Sequence, residues 1–134
     1  MEIIGHGVDI IELVSINRLL ERSGERFELR CFTSRERAAC KNNVNRAQYL
    51  AGRLAAKEAV LKALGTGWSQ NTSLLDIEVL RLASGQPTIQ LHSRCKEIAS
   101  ELRISTWLIS ISHSTNYSVA SVIAVGHKDN PLNH

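Results

Sequence analysis

The sequence predicts a single domain of mixed helices and strands, and three stretches predict it. Residues 46–64 are dominated by alanine and leucine at helical spacing, with no proline. Segments 76–91 and 106–125 each read as two strand-like runs joined by a polar turn. At 134 residues the chain is long enough for one real core and too short for two comfortable ones, so residues 1–125 are expected to form one domain. The polar stretch 126–134, which contains Pro131, is expected to fray.

Taken in order, residues 3–9 open the chain as a short strand carrying Gly5 and Gly7, where another backbone can approach closely, and ending at Asp9. By itself Asp9 reads either as a turn or cap residue or as a carboxylate at an active-site edge. Leu13, Ile16, Leu19 and Leu20 recur at helical spacing over 13–22, with Ser23-Gly24 as the break and a second helical piece over 25–30. Arg18, Arg22, Arg26 and Arg30 follow at intervals of four and would line one side if the two pieces were nearly continuous. Glu21, Glu25 and Glu28 lie between them, so the face reads as solvated or as a docking surface for an acidic partner.

Thr33-Ser34-Arg35-Glu36 has the form of a capping box, predicting a short helix to about Lys41. Asn45 is placed to cap the long helix, and Gly65 stands where a left-handed residue should end it. Residues 68–73 read as a loop able to fold over a ligand. Strands at 77–82 and 88–91 flank the turn Ser84-Gly85-Gln86-Pro87, and 95–102 has helical spacing. In the last pair, 106–112 and 118–125, alternation puts Trp107, Ile109, Ile111 and His113 on one side.

Composition narrows the classes. A net charge of +3 favours acidic partners, while scattered charge and 4% aromatic residues argue against a nucleic-acid platform. Cys31, Cys40 and Cys95 form no Cys-x-x-Cys pair and are odd in number, so they are expected to be reduced thiols rather than a disulfide framework or zinc ribbon. The five histidines lack zinc-site spacing. No apolar run is long enough to span a membrane and no export pattern is present, so a cytoplasmic location is expected.

The long helix carries the chemistry. Leu50, Leu54, Leu61 and Leu64 form a stripe with Glu58 among them, and Lys62 follows Glu58 by one turn on the same side. Two readings stand: an ordinary helical ion pair, or an active-site helix with Glu58 on a metal ion, Lys62 facing phosphate, and Gly65-Thr66-Gly67 exposing amides to an anion.

Three blocks then meet a known family. Gly5-His6-Gly7-Val8-Asp9-Ile10-Ile11-Glu12, the run from Arg53 through Ala55-Ala56-Lys57-Glu58-Ala59 to Gly67, and Ile109-Ser110-Ile111-Ser112-His113-Ser114 closely resemble the holo-acyl-carrier-protein synthases, the compact 4′-phosphopantetheinyl transferases. The resemblance covers about residues 4–125. It implies an α+β fold, with a small, mainly antiparallel sheet packed on a long central helix, and a homotrimer with coenzyme sites between subunits. It implies transfer of the 4′-phosphopantetheine group from coenzyme A to a serine of apo acyl carrier protein, releasing adenosine 3′,5′-bisphosphate.

Carried over residue by residue, the resemblance assigns magnesium to Asp9 and Glu58, and catalysis to Glu58, Lys62 and His113. It assigns coenzyme binding to Arg53, Lys57, Gly65, Thr66, Gly67, Gly85, Pro87 and His113, and carrier docking to Arg18, Arg22 and Arg26. Glu58, directly or through water, is the favoured base. This chain departs from the family where Ser84 and Gln86 replace another polar residue and a lysine, and where Leu54 replaces a commoner aromatic residue. The rivals are a magnesium-dependent hydrolase of pyrophosphate-linked nucleotides and a non-catalytic module that binds an acidic protein. No nucleic acid or membrane is expected as a partner.

Overall fold

The computed structural model describes residues 1–65 and 71–128. Strand β1 (Glu2–Glu12) leads directly into helix α1 (Leu13–Cys31), and the short helix α2 (Ser34–Ala39) precedes the long helix α3 (Arg46–Leu64). A 3-10 turn (Leu74–Asp76) then introduces β2 (Ile77–Arg81) and β3 (Pro87–Leu91), followed by α4 (Ser93–Glu101), β4 (Ile104–His113) and β5 (Tyr117–Gly126). All strand pairings among these residues are antiparallel. One sheet has the order β1-β5-β4, and β2 and β3 form a separate two-stranded sheet. The fold is α+β.

Local chemistry set most of these elements. Thr33 accepts from the Glu36 amide while the Glu36 carboxylate accepts from the Thr33 amide, completing the expected capping box. Gly65 ends α3 at φ 73°, a left-handed value that glycine adopts without steric penalty. Asn45 occupies the N-cap of α3 but makes no side-chain bond there. Several boundaries differ from expectation by a few residues: β1 extends through Glu12, α2 stops at Ala39, β4 begins at Ile104, and Gly126 still belongs to β5. Of the stretch expected to fray, residues 129–134 lie outside the described residues. Ser23-Gly24 bends α1 instead of ending it, since only Ser23 leaves helical geometry, at φ −150° and ψ 41°.

Helix α3 is central because it is buried on both sides. Toward the sheet it contributes Ala55, Ala56, Ala59 and Val60 to a cluster with Ala120 and Val122 of β5. Toward α1 and α2 it contributes Leu50 and Ala51 to a second cluster with Ile16, Phe27 and Phe32. Small side chains let its backbone approach β1 closely. A Cβ at Gly7 would run into the Ala59 carbonyl, and one at Gly5 would meet that of Ala63. This contact sets the register of β1 against α3, and with it the distance from Asp9 to Glu58.

Candidate functional site

Asp9, Glu58 and Lys62 come together where β1 crosses α3. Asp9 faces the helix because it alternates with Gly7 along the strand. The Lys62 ammonium donates to Asp9 Oδ1 and to the Val8 carbonyl, each at 2.9 Å. The helical pair expected between Glu58 and Lys62 is therefore replaced by a bond from Lys62 across to the strand. Glu58 is half-buried, and its carboxyl is pushed above the usual carboxylate range, first by burial and then by the neighbouring Asp9 charge, with Lys62 acting in the opposite direction.

Two carboxylates and an ammonium crowded in this way suit a hard divalent cation beside phosphate. Among the described residues there is no group of three or more His, Cys, Asp and Glu side chains able to hold a metal. Magnesium does not require one, since it keeps several waters and commonly takes one or two protein carboxylates plus substrate phosphates. The electrostatic penalty that raises the Glu58 pKa is the kind a bound cation relieves. The donor set fits.

Glu58 also opens toward α1. It lines a cavity of about 290 Å³ between α1 and α3 with Ser23, Arg26, Phe27, Arg30 and Leu54. Arg18, Arg22 and Arg26 are all exposed on α1. The bend at Ser23 turns the second half of that helix, with Arg26 and Arg30, toward Glu58.

His113 belongs to a second pole. It shares the helix-facing side of the sheet with Asp9, yet β5 separates their strands, about 10 Å across. Its ring lies against Gly52, where an added Cβ would be 2.7 Å from Cε1. Gly52 is six residues before Glu58, roughly 9 Å along the helix axis. Within one chain, then, His113 is set apart from the two carboxylates, at the end of the sheet nearer Gly52. Its Nδ1 is bonded to Ser118 Oγ at 2.7 Å. Partial burial and the nearby Arg53 and Arg81 charges pull its pKa below the ordinary value.

Arg53 lies in the same pole, wholly buried, with its guanidinium carbon 3.9 Å from the centre of the Tyr49 ring. None of its three guanidinium nitrogens makes a well-formed hydrogen bond among the described residues, although the Tyr49 side chain lies close enough to favour its charge. A buried, unpaired guanidinium stays charged and is costly, so this pole suits an anion. Arg81 joins it, close enough to depress both Arg53 and His113 while donating to the Gly85 carbonyl at 3.1 Å. Nothing local in the sequence marks Arg81, whose approach to α3 depends on packing of the second sheet. Gly85 forms the turn at φ 89°, and Pro87 pairs with Arg81 across it.

Lys57 is the clearest correction. Expected to reach coenzyme phosphate, it is instead wholly buried, and its ammonium donates to Glu36 at 2.6 Å, to the Cys31 carbonyl at 2.7 Å and to the Leu74 carbonyl at 3.0 Å. All three of its donors are taken, leaving none for a ligand. Gly65 is the αL cap of α3, while Thr66 and Gly67 lie outside the described residues.

Residues 5–122 match the family model described as the 4′-phosphopantetheinyl transferase superfamily. The chain is 45% identical over 121 residues to a holo-acyl-carrier-protein synthase of Gloeobacter violaceus, covering 90% of this chain and 91% of that protein. Among solved structures it resembles the Neisseria meningitidis holo-acyl-carrier-protein synthase with a TM-score of 0.86 at 33% identity, over 92% of this chain and 99% of that one. The Helicobacter pylori enzyme, crystallised in complex with coenzyme A, matches with a TM-score of 0.79 at 30% identity, over 90% and 99%.

Proposed function

The chain belongs to the 4′-phosphopantetheinyl transferase superfamily, and from that premise we propose how its site works as a holo-acyl-carrier-protein synthase. The reaction is transfer of 4′-phosphopantetheine from coenzyme A to a serine of apo acyl carrier protein, with release of adenosine 3′,5′-bisphosphate. The observation that carries the reading is the meeting of Asp9, Glu58 and Lys62 at one crossing of strand and helix.

Asp9 and Glu58 would hold magnesium, which when bound offsets charge on the coenzyme's pyrophosphate. The serine oxygen attacks the pantetheine-side phosphorus and the bond from that phosphorus to the bridging oxygen breaks, leaving the negative charge on the departing phosphate. Lys62 sits where its ammonium can turn from Asp9 to that charge. The serine proton passes to a Glu58 carboxylate oxygen, directly or through a water molecule. Arg53 and His113 serve a coenzyme phosphate remote from the metal. The unpaired Arg53 nitrogens support this, and because Arg53 is wholly buried, contact requires the side chains over it to part.

Arg18, Arg22 and Arg26 would receive the acidic carrier, which the cavity between α1 and Glu58 brings near the reacting phosphorus. A homotrimer is supported by the outer face of the larger sheet, where Val8 (56%), Ile10 (62%) and Leu108 (53%) are exposed apolar side chains. No described helix is long and apolar enough to cross a membrane. Incubating the chain with coenzyme A, magnesium and apo carrier protein, then weighing the carrier by mass spectrometry, tests the reading. The carrier's mass should rise by one phosphopantetheine and chelator should prevent it. Cleavage of coenzyme A with an unchanged carrier mass would instead identify a hydrolase.

A further inference from the structure

Lys57 precedes Glu58 on α3, about 100° around the helix from it, and ends among backbone carbonyls from two distant segments. One is Cys31 O, the last carbonyl of α1; the other is Leu74 O, the first carbonyl of the 3-10 turn. Helix C-termini leave carbonyls without intrahelical partners and carry negative dipole charge, so an ammonium there is favoured twice over. Lys57 thus acts as the C-terminal cap of α1, supplied by another helix.

Glu36 holds the ammonium in place. Its Oε1 accepts from Lys57 and from the Thr33 amide, and its Oε2 accepts from the Val79 amide at 2.9 Å. Neither side chain is accessible to solvent. Burial pulls the Lys57 pKa down while Glu36 opposes it. Such a pair is weak evidence for stability, because desolvation consumes much of the attraction, but it is well suited to fixing one geometry. Here it ties α1, α2, α3 and β2 to one ion pair.

We propose that Lys57 is a positioning residue, a buried joint that holds the second half of the docking helix α1 at the distance from Glu58 that transfer requires. The proposal rests on the function given above. Ser23 bends α1, so Arg26 and Arg30 are carried by a half-helix whose far end is the Cys31 carbonyl held by Lys57. Those arginines and Glu58 line one cavity, and Lys57 sets its width from behind.

Two measurements test the joint. Amide hydrogen exchange of the wild-type protein, without ligands, should protect the last turn of α1 to the same order as the middle of α3; rapid exchange confined to that turn would overturn the proposal. The paired substitution Glu36→Gln with Lys57→Met removes both charges and leaves neither one buried alone. In that variant, folded by circular dichroism, kcat at saturating substrates should fall roughly tenfold to a hundredfold. Its Kd for adenosine 3′,5′-bisphosphate, measured calorimetrically in chelator, should stay within about twofold, because the second pole keeps Arg53, Arg81 and His113, and Glu36 is only a minor charge acting on Arg53. Unchanged kcat, or loss of kcat and nucleotide affinity together, would overturn the joint. If the wild-type chain shows no transfer, the functional reading fails and the exchange pattern alone judges the joint.

Discussion

The Nζ of Lys62 lies 2.9 Å from Oδ1 of Asp9, so the lysine one turn beyond Glu58 is paired with the strand rather than with its own helix. The pair is partly solvated, with 54% of the Lys62 side chain and 20% of the Asp9 side chain exposed, and exposed pairs contribute only about 0–1 kcal/mol. Moving the ammonium from Asp9 to a phosphate therefore meets little resistance. Lys62→Met should leave unfolding by denaturant within about 1 kcal/mol of wild type. Its kcat for transfer should fall roughly 10²-fold, as when one preorganised donor is removed from a developing anion. A kcat within twofold of wild type would remove Lys62 from the mechanism.

Asp9→Ala and Glu58→Ala should each abolish magnesium-dependent transfer in a protein that still folds. The two carboxylates come from different elements, and Asp9 is one of the charges that raise the Glu58 pKa. Asp9→Asn should accordingly let Glu58 titrate closer to an ordinary glutamate. Carbon-detected NMR of the Glu58 carboxyl reads that shift, and magnesium titration of both alanine variants reads the site. Full activity in either alanine variant would sink the metal assignment.

What the sequence made legible was chemistry acting over one or two turns. The capping box at Thr33 and Glu36, the αL cap at Gly65 and the interruption at Ser23 each depend on neighbours a few residues away, and each stands where expected. Strand alternation correctly put His113 on the side of Ile109 and Ile111. It could not give the lateral order β1-β5-β4, which sets His113 far across the sheet from Asp9. Lys57 was misread for a similar reason. Its acceptors are up to 26 positions away, and nothing in a run of alanines and charges tells a side chain aimed at solvent from one aimed at the end of another helix. The family pattern supplied the pairing of Asp9 with Glu58, 49 residues apart, for which no local rule exists.

Gly7→Ala tests how tightly the site depends on backbone contact. Besides the Ala59 carbonyl oxygen, the new Cβ would lie 2.9 Å from the Ala59 carbonyl carbon and 3.1 Å from the Ala63 nitrogen. These are backbone atoms of a rigid helix, so β1 must move. Destabilisation of about 1–3 kcal/mol is expected from overpacking. Because Asp9 is two residues on, magnesium-dependent transfer should also fall in the fraction that remains folded. A shift in the urea midpoint with normal kcat would show that the spacing between strand and helix is not what sets the site.

His113 provides a pH signature for the second pole. Its folded-state pKa is held below the ordinary 6.5 by partial burial and then by the Arg53 and Arg81 charges. Above the unfolded value the imidazole is neutral in both states and contributes no pH dependence. As pH falls through 6.5 the unfolded chain takes a proton that the folded chain resists, so stability declines until the folded imidazole also protonates. Urea unfolding of wild type should therefore lose stability from pH 7.5 toward pH 5 more steeply than His113→Gln. An anion bound among these cations favours the imidazolium, so saturating adenosine 3′,5′-bisphosphate should raise the His113 pKa, as read from its ring-proton shifts. A free-protein pKa above 6.5 would contradict the partly buried, cationic setting of the ring, and a value lowered by the nucleotide would mean that the phosphate binds elsewhere.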